Sequence, residues 1–334
     1  MEKIDFVIIW VDGNDPKWQK KFYEYHPNIN TDTGEIRYRD WGLLKFWFRG
    51  VENFASWVNN VYFVTCGHYP DWLNFNNPKL KFIRHSDYIP SEYLPTFNSH
   101  TIELNLHRIE GLSERFVYFN DDFFLIDNVN PDFYFKKNLP CDMPIIRTLT
   151  GENSLMSYIE LSNIEVLNRN FNKKDVLEKN LLKWFNLKYR HYLFQNLYFS
   201  FLPQFTGFYT HHSPAPFLKS TFHEIWHKEY ETLDRTCKCR FREKVNVNQY
   251  LIRYWQLASG QFVPFNNIKK RLYYALGISP IDEIVSSIVN QKSNCIILND
   301  SILDDFETTK LRLLKAFNKI LPLSLIHISE PTRR

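Results

Sequence analysis

The sequence lacks the long apolar runs that a membrane-spanning protein needs. No stretch approaches the roughly 20 apolar residues of a spanning helix, and a predicted strand begins at Ile4, so we expect no secretory signal. Cysteine is scarce, and the five residues do not have the spacing of a disulfide framework: Cys66, Cys141, Cys237, Cys239 and Cys295. Cys237 and Cys239 lie too close together to form a zinc knuckle by themselves. We therefore expect reduced thiols and a cytoplasmic protein.

Neither sign of charge dominates the chain. Its 334 residues carry 41 Lys and Arg against 37 Asp and Glu, which gives a formal net charge of +4. This mild excess suits a small anionic substrate or a weak preference for a membrane surface, and it does not indicate a nucleic-acid partner. The hydrophobic content of 44% and the aromatic content of 17% are typical of a folded globular protein.

Four apolar runs predict the strands of one sheet, at residues 4–10, 61–65, 80–84 and 116–119. Between the first two, residues 40–57 carry apolar side chains at helical spacing. Strands separated by helical segments indicate right-handed crossovers between parallel strands. We therefore predict an α/β fold with a mainly parallel, Rossmann-like sheet flanked by helices.

Residues 150–210 differ from the rest in composition, because they are rich in Asn, Lys and Leu. A helical pattern covers residues 175–187 within them, and we interpret the whole segment as a helical insertion lobe carried on the sheet. Further helices are predicted at residues 246–257 and after Ser301, the latter with two Asp residues in its first turn.

These patterns predict a single domain over residues 1–322. Residues 1–149 form one α/β half, residues 150–210 form the lobe, and residues 211–322 complete the second half. Residues 323–334 resemble the translation of a sequencing-adapter read-through, and we expect them to be a non-native tail outside the fold.

The turn after the fourth predicted strand is the most informative segment. Residues 116–119 form an apolar run, and Asn120, Asp121 and Asp122 follow it directly. Two adjacent carboxylates at the end of a buried strand are costly to desolvate unless a cation or hydrogen-bond donors meet them. In open α/β sheets ligands bind beyond the strand ends, so the pattern suits a divalent cation that bridges carboxylates and a diphosphate. A turn capped by Asn and Asp explains these residues alone equally well.

The helix that precedes this strand carries a second polar group. At about 100° per residue, its apolar side chains form one stripe and two imidazoles and a carboxylate form another: His100, Glu103 and His107. Asn98 or Ser99 is the expected N-cap. We interpret the polar stripe as a solvated face. A zinc site is the less favoured alternative, because the spacing matches no familiar ligand motif.

Four blocks of sequence then occur in a specific order. The first is residues 4–16; the second runs from Arg37 to Asp122; the third holds His212-Ser213-Pro214-Ala215-Pro216, Phe241-Arg242 and Asn248-Gln249-Tyr250; the fourth begins Leu298-Asn299-Asp300. Together they resemble the conserved blocks of the Stealth proteins over roughly residues 1–322. Stealth proteins are sugar-1-phosphate transferases of bacterial capsule synthesis, related to the animal phosphotransferase that begins the mannose-6-phosphate tag on lysosomal enzymes.

The resemblance implies a nucleotide-sugar transferase fold and a defined reaction. An acceptor sugar hydroxyl attacks the β-phosphorus of a UDP-sugar, UMP leaves, and a sugar-1-phosphate becomes a phosphodiester-linked unit of a capsular or exopolysaccharide. The implied partners are a UDP-sugar donor and a glycan acceptor, with no nucleic acid and with peripheral association with membrane-bound capsule machinery at the inner face of the membrane. Such transfer needs charge neutralisation and in-line positioning more than covalent chemistry.

The same resemblance assigns catalytic roles to five residues. Asp122 and Asp121 would hold Mg²⁺ or Mn²⁺ against the diphosphate. Arg242 would bind phosphate oxygens through its planar guanidinium, which Lys cannot copy. His212 would act as general base or contact phosphate, since an unperturbed imidazole titrates near neutral pH. Glu103 would orient the acceptor or share the work of the base.

A second group of residues lies at or near strand exits. The contacts to uridine and ribose are assigned to Trp10, Asp12, Gly13 and Arg37. The cofactor and cation sites would be completed by Asn120, Asn299 and Asp300.

Less specific interpretations also fit these residues. Arg242 could form a surface ion pair, Asp300 could cap a helix, and His212 could be an ordinary polar loop residue. For the whole protein, the alternatives are a metal-dependent glycosyltransferase that releases UDP and a non-catalytic nucleotide-sugar-binding protein of the capsule machinery. The nucleotide released on reaction separates the three functions.

Overall fold

The structure is a computed structural model that describes residues 3–25, 39–150, 154–210, 212–266 and 268–322. Its strands are β1 (Ile4–Ile9), β2 (Val61–Thr65), β3 (Leu80–Arg84), β4 (Arg115–Phe119), β5 (Phe123–Leu125), β6 (Phe135–Lys136), β7 (Leu139–Asp142), β8 (Ala215–Leu218), β9 (Val263–Pro264), β10 (Arg271–Ala275) and β11 (Cys295–Asn299). The predicted site residue Arg37 and the predicted tail 323–334 lie outside the described residues.

The α-helices of the described residues are α1 (Pro16–Tyr25), α2 (Leu44–Phe54), α3 (Ser99–Leu104), α4 (Leu155–Asn170), α5 (Lys173–Lys179), α6 (Leu181–Trp184), α7 (Tyr192–Ser200), α8 (Lys219–Lys228), α9 (Tyr230–Lys238), α10 (Gln249–Ala258), α11 (Ile281–Val289) and α12 (Phe306–Ile320). None of those described is both long and apolar enough to cross a bilayer.

A five-stranded sheet in the order β3-β2-β1-β4-β8 forms the centre of the fold. The first four strands are parallel, and β8 runs antiparallel at one edge. The pairing sets Ile8 of β1 beside Phe119 of β4, so these two strands end side by side. The mainly parallel sheet is confirmed, and each of the four predicted strands lies within one residue of its observed bounds.

Alternate residues of the central strands face two separate cores. Phe6 and Phe119 pack with α2, α11 and α12 on one face, whereas Val7 and Tyr118 pack with α3, α8, α9 and α10 on the other. Because helices cover both faces, every residue of β2 and β4 is buried. This explains why these strands appear in the sequence as continuous apolar runs.

A second sheet, in the order β10-β11-β5, fixes the turn that follows β4. β5 begins directly after Asp122 and pairs antiparallel with β11. The backbone N–H of Leu298 in β11 donates to the carbonyl oxygen of Asp122 at 3.0 Å. The acidic turn is therefore held between two sheets, which limits its freedom to move.

The lobe shares a core with the rest of the fold. Ile164 and Val176 of the lobe pack against Tyr254 of α10. The helix predicted at residues 175–187 is divided into α5, α6 and a short 3-10 turn. Asn180 and Asn186 stand at the two breaks, and both side chains bond to backbone groups, which competes with continuing the helix.

The polar stripe before β4 is buried, so its interpretation as a solvated face is wrong. Glu103 and His107 are at most 6% exposed, because α8, α9 and α10 cover this side of the helix. The helix also ends at Leu104 and continues as a 3-10 turn, which separates His107 from the other two residues. His107 packs against Phe222 of α8 instead. The expected N-cap is confirmed, since Asn98 accepts from the backbone N–H of His100 at 3.1 Å.

Candidate active site

The acidic turn lies between β4 and β5, and within it Asp122 contacts another predicted site residue, His212. Its Oδ2 is 3.0 Å from Nε2 of His212. Its Oδ1 is buried and has no hydrogen-bond partner among the described residues. A buried carboxylate oxygen without a donor is unfavourable. Asp122 is therefore arranged to receive a cation or a donor from a ligand.

Asp121 resists ionisation. Loss of hydration raises the pKa of its carboxyl to about 7, and the negative charges of Asp122 and Asp40 add to the rise, while His212 opposes it. Asp121 is exposed at the surface of the turn, which weakens the loss of hydration but leaves the repulsion between adjacent carboxylates in place. A divalent cation relieves this kind of repulsion.

His212 reaches the turn from the segment that connects the lobe to β8. Its ring packs edge-on against Phe123, with centroids 4.8 Å apart. In the neutral ring, an Nε2 that faces the Asp122 carboxylate carries the proton, so Nδ1 is left as the basic nitrogen. The structure thus brings together two predicted residues that are 90 positions apart in the chain.

Glu103 is connected to the turn through Tyr118. The Tyr118 hydroxyl lies 3.1 Å from Oε1 of Glu103 and 2.5 Å from Oδ1 of Asn120. Burial raises the pKa of Glu103, opposed by the nearby charge of Arg242 and by the backbone N–H of Gln249. One hydroxyl proton cannot serve two acceptors, so a protonated Glu103 would complete this network. The Glu103 carboxyl therefore helps to position Asn120, through the hydroxyl of Tyr118.

Arg242 stands beside this network. Its Nη2 donates to Oγ of Ser99 at 2.7 Å, and its charge favours the ionised form of Glu103. Arg242 is half-buried. Among the described residues it forms no surface ion pair, which was the alternative interpretation. A guanidinium beside the Glu103 network, which reaches the acidic turn through Tyr118 and Asn120, is suited to phosphate oxygens.

The exit of β1 contains a second arrangement, which involves Trp10 and Asp12. The backbone N–H of Asp12 donates to Nε2 of His68 at 2.8 Å, and Nδ1 of His68 lies 3.2 Å from Oδ2 of Asp15. The rings of Trp10 and His68 are 5.1 Å apart. Gly13 follows in the same loop. Sequence reasoning missed His68 and Asp15, although a His three residues after a buried strand was an available signal.

The two residues after Leu298 differ in their surroundings. Asn299 ends β11 beside the acidic turn. The Asp300 carboxylate accepts from Nε and Nη2 of Arg39 at 3.1 and 2.8 Å and from Nε1 of Trp41 at 2.9 Å. Both Asp300 oxygens already have donors, so the structure does not favour Asp300 as a cation ligand. Nor does Asp300 cap α12, whose N-cap is Asp305.

Arg271 is a further candidate that sequence reasoning missed. Its Nη1 donates to Oγ of Ser213, the residue after His212, and its guanidinium lies 5.6 Å from the Phe133 ring centroid. Its Nε is buried without a hydrogen-bond partner among the described residues. The available signal was a charged residue at the start of an apolar strand. Arg271 adds positive charge behind His212.

No group of three or more His, Cys, Asp or Glu side chains is arranged to hold a metal ion in the described part of the chain. A cation at the turn would therefore take its protein ligands from Asp122 and Asp121 and the others from a bound diphosphate and water. That division is usual for Mg²⁺, which retains waters and substrate phosphates around one or two carboxylates. The residues present thus fit a substrate-linked cation.

Comparisons with known proteins agree with the sequence blocks. The model of Stealth protein conserved region 2 matches residues 37–142, and that of conserved region 1 matches residues 2–28. The chain is 43% identical over 326 residues to a capsular polysaccharide phosphotransferase, WcwK, of Streptococcus pneumoniae, covering 96% of this chain and 97% of that protein. It is 37% identical over 329 residues to the receptor polysaccharide phosphotransferase WefC of Streptococcus gordonii, covering 96% and 98% of the two chains.

More distant likenesses were also found. The exopolysaccharide phosphotransferase cps2G of Lactiplantibacillus plantarum is 36% identical over 322 residues, covering 96% of this chain and 94% of that protein. Among solved structures, an active-site mutant of LgtC aligns with a TM-score of 0.39 and 9% identity over 93% of this chain and 95% of its own, a likeness too weak to carry an argument. The chain therefore belongs to the Stealth protein family, together with these polysaccharide phosphotransferases.

Proposed function

We propose that this protein transfers a sugar-1-phosphate from a UDP-sugar to a hydroxyl of an acceptor glycan and releases UMP, in the synthesis of a capsular or exopolysaccharide. The observation that carries the proposal is the contact between Asp122 and His212. It leaves Oδ1 of Asp122 without a partner among the described residues, where a cation could bind. It also leaves Nδ1 of His212 as the imidazole nitrogen that could accept a proton. The names of the relatives, which are polysaccharide phosphotransferases, support it.

Asp122 and Asp121 would hold Mg²⁺ or Mn²⁺ on the diphosphate, with Asn299 close by in β11. The cation, when bound, neutralises charge on the phosphate oxygens. Arg242 and Arg271 would add positive charge on the protein side of the same oxygens. Arg242 lies beside the Glu103 network and Arg271 bonds to Ser213 next to His212, so the two cations come from different segments.

In the transfer step, a bond forms between the acceptor oxygen and the β-phosphorus while the bond from that phosphorus to the oxygen of UMP breaks. The hydroxyl proton passes to Nδ1 of His212. Asp122 orients the ring through Nε2 and stabilises the imidazolium that results. Glu103 acts as a positioning residue, because its contact with Tyr118 fixes Asn120 at the edge of the turn.

The exit of β1 would bind the nucleoside. β1 and β4 are parallel neighbours whose ends lie side by side, so Trp10 and Asp12 are adjacent to the acidic turn. The indole of Trp10 offers an aromatic face for a base. His68 holds the backbone of Asp12 through its N–H, which keeps this loop in place.

Identification of the released nucleotide tests the proposal. The purified full chain is incubated with a panel of UDP-sugars, Mg²⁺ and acceptor glycans, and we expect UMP. UDP would show glycosyl transfer instead, and no nucleotide with any acceptor would show a binding protein. We expect Asp122→Asn to abolish release. Asp132→Asn, which removes an exposed carboxylate in a surface cavity shared with Ile4 at the start of β1, is the matched control and should retain activity.

A further inference from the structure

Helix α7 of the lobe exposes an apolar side to the surroundings. Phe194, Leu197, Tyr198 and Phe201 recur at intervals of three and four residues, so they lie on one side of the helix and the turn that follows it. All four are exposed. An ordinary surface helix buries its apolar stripe, so the orientation of α7 needs an explanation.

The opposite side of α7 is fixed by a buried polar residue. Asn196 is fully buried, and its Nδ2 donates to the carbonyl oxygens of Pro144 and Trp184 at 2.7 and 2.8 Å. Its Oδ1 accepts from the backbone N–H of Ile146 at 2.8 Å. Rotating α7 to bury its apolar stripe would break these three bonds. The outward orientation of the apolar side is therefore part of the fold.

Neighbouring residues extend the same surface. α6 bonds to α7 through the Trp184 carbonyl oxygen and Asn196, and the turn after α6 contacts α7. Large apolar side chains on these three elements are each between 74% and 89% exposed: Leu182, Leu187, Phe194, Tyr198 and Phe201. We refer to these five residues as the apolar face. Large exposed apolar side chains on adjoining elements mark a place where a partner or a membrane binds.

The stretch of sequence that carries the apolar face is basic. The sequence contains no Asp or Glu between Glu178 and Glu224. Lys179, Lys188 and Arg190 are exposed in the same stretch. Apolar and aromatic side chains flanked by cations match an anionic lipid surface, where the rings enter the headgroup boundary and the cations meet phosphates.

We propose that the apolar face docks the protein on the surface of an anionic lipid bilayer. A second copy of the chain fits less well, because it would bring two sets of cations together without an acid in this stretch to pair them. The docking is peripheral, since no described helix is suited to cross the bilayer.

The lobe that carries the apolar face packs against the segment that leads to His212. The role of docking in the reaction rests on the proposed function. Tyr192 at the start of α7 packs near Tyr209, with ring centroids 6.0 Å apart, and the chain continues from Tyr209 to His212. Arg253 of α10 donates to the carbonyl oxygen of Tyr209 at 3.1 Å. The start of α7 and the segment before His212 are thus packed together, and we expect a docked protein to act on acceptors held at the membrane.

Vesicle sedimentation with the full chain tests the docking without any nucleotide. Vesicles of phosphatidylglycerol and cardiolipin are compared with vesicles of phosphatidylcholine. We expect binding to the anionic vesicles that weakens between about 0.1 M and about 1 M salt. The triple variant with Leu187→Ser, Phe194→Ser and Phe201→Ser should bind the anionic vesicles about tenfold or more weakly. The control Tyr23→Ser with Ile278→Ser, which removes two exposed apolar side chains elsewhere, should bind like the wild type.

Three results would overturn the docking: no binding of the wild type to anionic vesicles, equal binding by the triple variant, or equal loss by the control. A wild-type dimer in light scattering that the triple variant abolishes, without vesicle binding, would assign the apolar face to a second copy. Circular dichroism checks that the variants fold. The single variant Leu187→Glu, at an exposed turn position, gives a second measurement and should lower binding several-fold. Because binding is measured without turnover, its failure leaves the UMP result unaffected.

Discussion

Replacing Asp121 by Asn removes a charge that the folded protein resists, and the variant should be more stable than the wild type above neutral pH. The pKa of Asp121 rises from its ordinary value of 3.8 to about 7 in the folded state. The unfolded chain therefore loses this proton first as pH rises. Wild-type stability then falls between about pH 4 and about pH 7, and the loss persists at higher pH.

The magnitude follows from the shift. Roughly three pH units at about 1.36 kcal/mol each set a ceiling of about 4 kcal/mol. Asp121 is exposed, so solvent screens the charge strongly, and we expect about 0.5 to 1 kcal/mol of stabilisation in Asp121→Asn near pH 8. Near pH 5 the gain should be roughly a third as large, because the folded wild type is then mostly protonated at this site.

Urea denaturation of the full chain, with chelator present, measures this difference near both pH values. Asp132→Asn is the matched control, and its stability relative to wild type should not change with pH. A variant that is no more stable than wild type near pH 8, or a gain that does not grow with pH, would refute the electrostatic reasoning. Added Mg²⁺ or Mn²⁺ should stabilise the wild type near pH 8 and have little effect on Asp121→Asn.

Three further outcomes are expected. Arg253→Met leaves the half-buried Asp142 carboxylate without its two bonds from Arg253 at 2.7 and 2.9 Å, and should lower the free energy of unfolding by about 2 to 4 kcal/mol; a loss below about 1 kcal/mol in urea denaturation would contradict the pairing. Asn196→Ala leaves one N–H and two carbonyl groups without hydrogen-bond partners, and should lower the free energy of unfolding by about 3 kcal/mol in the same assay. An unchanged denaturation midpoint would show that α7 is held by other contacts. Glu103→Gln keeps the contact with Tyr118 and should retain kcat within about tenfold, while Glu103→Ala should lose about a hundredfold; equal losses would mean that the carboxyl proton itself takes part in the reaction.

The central strands could be predicted because their information is local. Residues 116–119 are apolar at every position, and the chain turns polar at Asn120, so both the strand and its end appear in consecutive letters. The same holds for the cap at Asn98, whose side chain bonds a backbone N–H two residues away. Short-range hydrogen bonding and strand propensity do not depend on the rest of the fold.

Burial of the helix before β4 could not be predicted in this way. The stripe with Glu103 and His107 has the polarity of a solvated face, and only the packing of α8, α9 and α10 excludes water from it. Asp300 shows the same limit, because Arg39 and Trp41, which occupy its oxygens, lie some 260 residues earlier in the chain.

The sequence by itself determined the parallel sheet, the acidic turn at its edge and, through the order of its blocks, the family. Tertiary structure alone decided which groups meet at that turn: His212 beside Asp122, Tyr118 between Glu103 and Asn120, and an Asn turned inward so that α7 faces outward. The physical reason is one of range. Strand periodicity and caps depend on neighbours in sequence, whereas a buried polar atom takes its partner from whichever distant segment the packing brings within about 3 Å.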